Sequence, residues 1–258
     1  MKKYTRFTLI FILFFSLFIS GCSFNRKEPT DLERITERGY IIVGVKTDSP
    51  PFGYRTKKDK LTGLDITLSK KIAYAIFKEE NPAFVKFVEV TPQNRISKLN
   101  SKEVDILVAT MSVNEKRKLV IDFSKPYFDT SQKIMVKPHS KIKTLSYFNK
   151  KGRLAVVMGT TGEKIIRLIT PNAQVIGAKS YREAYNFLLN NQVDAIFGDD
   201  CILKGINDDK FKIVNRAYSK EVYAVAVRKS PDSKEMLNTI NSVITGLLDK
   251  KMLTLPKK

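Results

Sequence analysis

Cysteine and histidine are nearly missing from this sequence, whose 258 residues hold two cysteines and one histidine. Cys22 closes an N-terminal apolar segment, so only Cys201 remains beyond it. A single cysteine cannot close an internal disulfide and excludes a cysteine-based metal cluster. The histidine, His139, follows Lys137-Pro138 in a loop-like stretch without candidate partners, and reads as a surface residue rather than a catalyst. Acidic residues are scarce as well, 26 against 46 lysines and arginines, for a formal charge of +20. A long apolar run is also lacking: a comfortable membrane span takes about 20 apolar residues, and the N-terminal run falls short of that.

The first 22 residues carry their own address. Lys2, Lys3 and Arg6 precede an apolar core from Phe7 to Ile19, which exits through Ser20 and Gly21 to Cys22. A basic flank, a short apolar core and small residues at the exit describe a secretory signal. Ile19-Ser20-Gly21-Cys22 resembles the lipobox of bacterial lipoproteins, which implies acylation of the Cys22 thiol and cleavage before it. Removing the three basic residues leaves 43 basic against 26 acidic, a mature charge of +17. In a cytosolic protein that excess would suggest nucleic acid. On an exported one it points to a solvated basic surface facing an anionic envelope. Residues 23–30 read as a polar tether.

The mature part, about 235 of the 258 residues, is long enough for one large domain or two modest ones. Leu32–Ile35 looks like a short helix closed by Gly39. The nearly continuous apolar run Tyr40–Val45 reads as a strand buried on both faces. Helical spacing follows over Leu64–Phe77, then a strand at Phe84–Val90, a short helix at Arg95–Leu99 and a strand at Val104–Val108. The alternation resumes with strands at Arg153–Val157, Gln174–Ile176 and Val193–Phe197, and helices at Thr161–Ile169 and Tyr181–Leu189. A strand at Val222–Val227 and a helix at Asp232–Leu248 close the chain. Two such blocks, on either side of Tyr127–Val136, predict an α/β protein of two lobes with a mostly parallel sheet.

Ligands of open α/β sheets sit beyond the carboxyl ends of strands, so those positions are the ones to read. They hold Asp48, Phe52 and Tyr54 after the first strand, and Thr110, Ser112 and Arg117 after Val108. Thr161 opens a helix after Val157, and Asp199 follows Phe197. Arg117 can grip a carboxylate through paired charge-assisted bonds. The N–H of Thr161 lies where a helix terminus favours negative charge. Asp199 can accept from an ammonium, and Phe52 can cover a ligand. Each also has a plain structural reading: a solvated arginine, a helix cap at Thr161 or Asp199, a core phenylalanine. Their joint placement at corresponding strand ends suits a zwitterion.

These motifs resemble the extracellular solute-binding proteins of polar amino acid ABC transporters, bacterial solute-binding protein family 3. The likeness runs from Leu32 to about Leu253. It is carried by Ile42-Val43-Gly44-Val45 with Pro51-Phe52, Leu61-Thr62-Gly63-Leu64-Asp65-Ile66, and Met111-Ser112-Val113-Asn114-Glu115-Lys116-Arg117. Asp122-Phe123-Ser124-Lys125-Pro126-Tyr127, Gly159-Thr160-Thr161 and Val193-Asp194-Ala195 leading to Asp199 complete it. The resemblance implies a type II periplasmic-binding-protein-like fold, with a ligand cleft between lobes joined by two hinge strands near 128–131 and 218–222. Lobe 1 would comprise 31–129 plus 222–258, and lobe 2 130–221. It further implies that Arg117, with Ser112 and Thr161, binds the α-carboxylate. Asp199 and the Thr110 carbonyl would bind the ammonium, Phe52 would pack over the ligand, and Asp48 and Tyr54 would reach its side chain. Asn114, where the family usually has threonine, would serve as a helix cap.

The partners so implied are a free amino acid, an ABC permease with its ATPase subunits, and a membrane reached through the lipid anchor, outside the cell or in a periplasm. No cofactor, metal or nucleic acid is expected, and the chain is expected to be monomeric. The rival reading is an exported enzyme on the same fold, dehydratase-like, with Glu163 and Asp200 as its candidate acid and base. A ligand sensor or adhesin is the other alternative.

Overall fold

The computed structural model describes residues 28–254. The signal segment, Cys22 and most of the 23–30 tether lie outside the described residues. Helix α1 (Asp31–Arg38) begins with Asp31 and Glu33 in its first turn, where the helix terminus favours acid. It ends as expected at Gly39, whose φ of 78° lets its N–H return to the Ile35 carbonyl at 3.1 Å.

Strand β1 (Ile41–Val45) then enters the interior of a sheet, between two neighbours, with four of its five residues buried. A small antiparallel sheet follows, made of β2 (Asp48–Ser49), β3 (Gly53–Arg55) and β4 (Leu61–Thr62). Helix α2 (Leu64–Phe77) leads to β5 (Val85–Glu89), and α3 (Arg95–Asn100) to β6 (Ile106–Leu107). Both strands pair with β1 in parallel. Helix α4 (Glu115–Lys118) precedes the long β7 (Ile121–Thr130). Strand β13 (Glu221–Arg228), from near the C-terminus, lies antiparallel between β6 and β7, giving the order β5-β1-β6-β13-β7.

A second five-stranded sheet is built from the middle of the chain: β8 (Gln132–Val136), β9 (Arg153–Val157), β10 (Gln174–Ala178), β11 (Ala195–Asp199) and β12 (Lys212–Val214). Their order is β10-β9-β11-β8-β12. Helices α5 (Thr161–Ile169) and α6 (Tyr181–Leu189) start and stop where the sequence predicts them. Helix α7 (Asp200–Ile206) was not expected. The molecule is thus a two-lobed α/β fold, one lobe per large sheet. The chain passes from the first sheet to the second at Ser131 and returns between Val214 and Glu221.

In each large sheet four strands run the same way, as expected of a mostly parallel sheet, and one strand, β13 in the first and β8 in the second, runs against its two neighbours. The stretch 127–136, left without an element by the sequence, divides into β7 and β8. The irregular burial of β7 hides any period-two signal there. The last helix, α8 (Ser233–Asp249), buries Met236, Ile240, Ile244 and Leu247 at helical spacing. They join the core that holds Ile72 of α2 and Val227 of β13. Burying side chains of this size stabilises by about 1.5–3 kcal/mol each. Among the described residues, no helix is long and apolar enough to cross a membrane.

Candidate functional site

A narrow cavity lies between the carboxyl ends of strands from both large sheets. Lys46 enters it just past β1. Pro92 and Arg95 come from the start of α3, and Thr110, Ser112 and Arg117 from the segment after β6. The second sheet supplies Thr160 and Thr161 after β9, Tyr181 at the start of α6, and Asp199 at the end of β11. Five residues read from the sequence, Thr110, Ser112, Arg117, Thr161 and Asp199, therefore line one space.

Arg117 is 6% exposed. Its backbone N–H donates to the Asn114 side chain at 2.9 Å, so Asn114 caps α4 as expected. The guanidinium donates through Nη1 to the Ser112 carbonyl at 2.6 Å and through Nη2 to the Gly159 carbonyl at 3.4 Å, the second bond reaching across the cavity. Burial lowers its pKa, and the carboxylates of Glu221 and Asp199 work against that.

Asp199 is held from both sides. Gln132 Nε2 donates to its Oδ1 at 2.7 Å, and the Tyr181 hydroxyl to its Oδ2 at 2.8 Å. Burial pushes its carboxyl up to about 6; the Glu221 carboxylate adds to the rise and the Tyr181 hydrogen bond opposes it. The Thr161 hydroxyl donates to Glu221 Oε2 at 2.7 Å. Gln132 also reaches Thr161 Oγ1 at 3.3 Å.

Thr110 takes a positive φ of 45°, uncommon for a β-branched residue. Buried Asp65 holds it there: Oδ2 accepts the Thr110 N–H at 3.1 Å, and Oδ1 accepts the Tyr127 hydroxyl at 2.9 Å. Burial pushes the Asp65 carboxyl up to about 7 against these two bonds.

Three expected contacts lie elsewhere. Phe52 is fully buried, its ring 4.9 Å from that of Phe128 and 5.3 Å from that of Tyr223, so it is core beneath the site and not a surface over the cavity. The turn through Pro50 and Pro51 tucks it inward, where an apolar ring is most stable. Asp48 does not line the cavity either. It pairs with Lys46 Nζ at 2.7 Å and accepts the Tyr181 N–H at 3.0 Å. Tyr54 sits half-buried in β3 of the small sheet, paired with Asp48 and Thr62.

Lys46, Arg95, Tyr181 and Gln132 were missed. Lys46 is the first residue past a strand's carboxyl end, a signal that was available. His139 is exposed, after β8. Glu163 accepts from the Gly159 N–H and from Arg167, while Asp200 pairs with Lys133 and Lys204; neither lines the cavity. Cys201 is buried against Thr130 and Tyr223, and burial pushes its thiol up to about 12. No cluster suited to a metal occurs among the described residues.

This geometry, two α/β lobes presenting opposite charges to one cavity, is that of a solute-binding protein. The family model for bacterial extracellular solute-binding proteins, family 3, matches residues 41–255, and the chain belongs to that family. It is 34% identical over 213 residues to the ABC transporter glutamine-binding protein GlnH of Bacillus subtilis (strain 168), spanning 81% of this chain and 77% of that one. It is 35% identical over 213 residues to the glutamine-binding protein of Geobacillus stearothermophilus, spanning 81% and 80%. Among solved structures, the cysteine-binding protein from Campylobacter jejuni superposes with a TM-score of 0.81 at 30% identity, covering 87% of this chain and 90% of its own. A mutant of ArgBP from T. maritima gives 0.79 at 29% identity, covering 87% and 96%.

Proposed function

We propose that this protein captures a free polar amino acid outside the cell and delivers it to an ABC importer. One observation carries the reading: Arg117 and Asp199 meet at a single cavity, one from helix α4 beside the first sheet and one from the end of β11 in the second. Arg117 takes the α-carboxylate, aided by Ser112 and by Thr161 at the start of α5. Asp199, kept in place by Gln132 and Tyr181, takes the α-ammonium beside the Thr110 carbonyl. Phe52 supports the floor through Tyr223, and Asp48 acts through Lys46 and Tyr181. Lobe 1 spans 31–129 plus 222–258 and lobe 2 spans 130–221, hinged at the two passages between the sheets. Relatives named as glutamine- and cysteine-binding support the ligand class. A thermal-shift screen of the twenty amino acids tests it, because a ligand that binds only the folded state raises the melting temperature. No shift with any of them would refute the reading.

The signal segment and Cys22 support a location on the outer face of the membrane, anchored by lipid, where the protein would work as a monomer with a permease and its ATPase subunits. Several acyl chains hold firmly because each buried methylene adds about 0.8 kcal/mol. Cys22→Ala is expected to move the protein from the membrane fraction to the soluble fraction. A membrane-bound variant would exclude the lipid anchor.

The raised pKa of Asp199 predicts opposite responses to acid. Between the ordinary carboxylate value of 3.8 and about 6, the folded ligand-free chain binds a proton at Asp199 that the unfolded chain does not. Its contribution to stability therefore grows as pH falls through that window. The ammonium needs the ionised form, so affinity falls over the same range. Calorimetry from pH 5 to 8 is expected to show weakening below about pH 6. Asp199→Asn is expected to bind more weakly throughout and to lose the bend. A bend that survives in the variant would assign it to another group, Asp65 first.

A further inference from the structure

Arg117 and Asp199 answer the two charges that every free amino acid carries. Two further cations line the same cavity, Lys46 and Arg95, and the backbone of a ligand leaves both unused. Arg95 is 3% exposed, and it meets backbone carbonyls rather than a carboxylate: Nη1 donates to Ala109 at 2.6 Å and to Thr110 at 3.4 Å. Its Nε is buried without a hydrogen-bond partner. Buried guanidinium donors are rarely left so, because desolvation is costly unless an acceptor replaces water. Lys46 is 2% exposed and spends one of its three donors on Asp48; its Nζ lies 5.7 Å from the Tyr181 ring centre.

We infer that Lys46 and Arg95 form a side-chain pole selecting amino acids whose side chain ends in an oxygen acceptor, a carboxylate or a carboxamide. This rests on the amino acid reading above and narrows it. A ligand with a basic side chain would bring a third cation to two desolvated ones. An apolar side chain would leave the Arg95 Nε without a partner and cover it further. An acceptor oxygen satisfies it and reaches the remaining donors of Lys46. The neighbouring acids do not compete for this role: Asp48 is bound to Lys46 and Tyr181, Asp65 lies behind Thr110, and Asp199 faces Gln132 and Tyr181. Glu221 acts on Arg117 and Asp199 from behind Thr161. Burial, then the charge of Arg117, lowers the Arg95 pKa to about 9, which leaves it a cation at neutral pH and one whose charge is costly until paired.

The test is calorimetry of the full mature chain with L-glutamate, L-glutamine, L-norvaline and L-arginine. Norvaline keeps the backbone charges and the apolar stem but lacks the terminal oxygen. Glutamate or glutamine is expected to bind about 10- to 100-fold tighter than norvaline, the range for one charged hydrogen bond. The two arms separate carboxylate from carboxamide, and arginine is expected to bind worst. In Arg95→Gln the ratio between the better oxygen ligand and norvaline is expected to collapse toward one. Norvaline or arginine binding as tightly as either oxygen ligand would overturn the pole and leave amino acid capture standing. No binding of any of the four or of the other amino acids would overturn both. If Arg95→Gln does not fold, Lys46→Met supplies the same ratio, and the wild-type panel decides alone.

Discussion

Arg117→Ala is expected to lose measurable amino acid binding while the protein stays folded. In the proposed complex its guanidinium makes two parallel charge-assisted bonds to the α-carboxylate, each worth about 1.5–3 kcal/mol. Losing both, about 3–6 kcal/mol, weakens binding by roughly 10²- to 10⁴-fold. The fold is spared because the Arg117 side chain bonds only to the Ser112 and Gly159 carbonyls. Arg117→Lys should fall between, keeping the charge but not the planar fork. Calorimetry beside circular dichroism checks this. Near-normal affinity in a folded Arg117→Ala protein would remove Arg117 from the site.

Gly205→Ala is expected to weaken ligand binding even though it improves a helix. Inside a helix, alanine is favoured over glycine by about 1 kcal/mol. Here the helix is α7, on the second sheet's side, and an added Cβ would stand 1.9 Å from the Pro50 carbonyl oxygen, on the first sheet's side. Two backbones would have to part. Overpacking of this kind costs about 1–3 kcal/mol or more, which is roughly 5- to 150-fold in affinity if the contact forms only when the lobes close. The ligand-free protein should be as stable as the wild type or more so, because lobes held apart feel only the helix preference. Thermal unfolding with and without ligand separates the two effects. A variant that gains stability equally in both conditions would mean that the contact has no part in binding.

The sequence made the parallel-paired strands and β13 readable and left β7, β8 and β12 obscure. Buried parallel strands such as Ile41–Val45 and Arg153–Val157 are near-continuous apolar runs, so they stand out. Ile121–Thr130 alternates imperfectly and carries Lys125-Pro126 in its middle, so nothing marks it as a ten-residue strand. At the site, reading the residues after each strand found Arg117, Thr161 and Asp199, because topology places strand ends together. It found Lys46 only as part of a loop and passed over Arg95, since both residue types are usually solvated. Their burial follows from tertiary packing, which no local pattern reports. Phe52 shows the opposite error. An aromatic in a Pro-Pro turn suggests an exposed ring, yet Phe128 and Tyr223, far along the chain, close over it.

The two passages between the sheets carry more than connection. Gln132, which steadies Asp199, is the first residue of β8, one step beyond Ser131. Glu221, which accepts the Thr161 hydroxyl, is the first residue of β13, where the chain comes back. In the proposed function, pivot and grip therefore share residues. Torsions that would swing one half against the other would also set the hydrogen bonds behind the proposed ammonium and carboxylate seats. On the proposed reading, loading the cavity would stiffen the axle and bending the axle would loosen the cargo, so a membrane partner that prises the halves apart would release the solute without touching it.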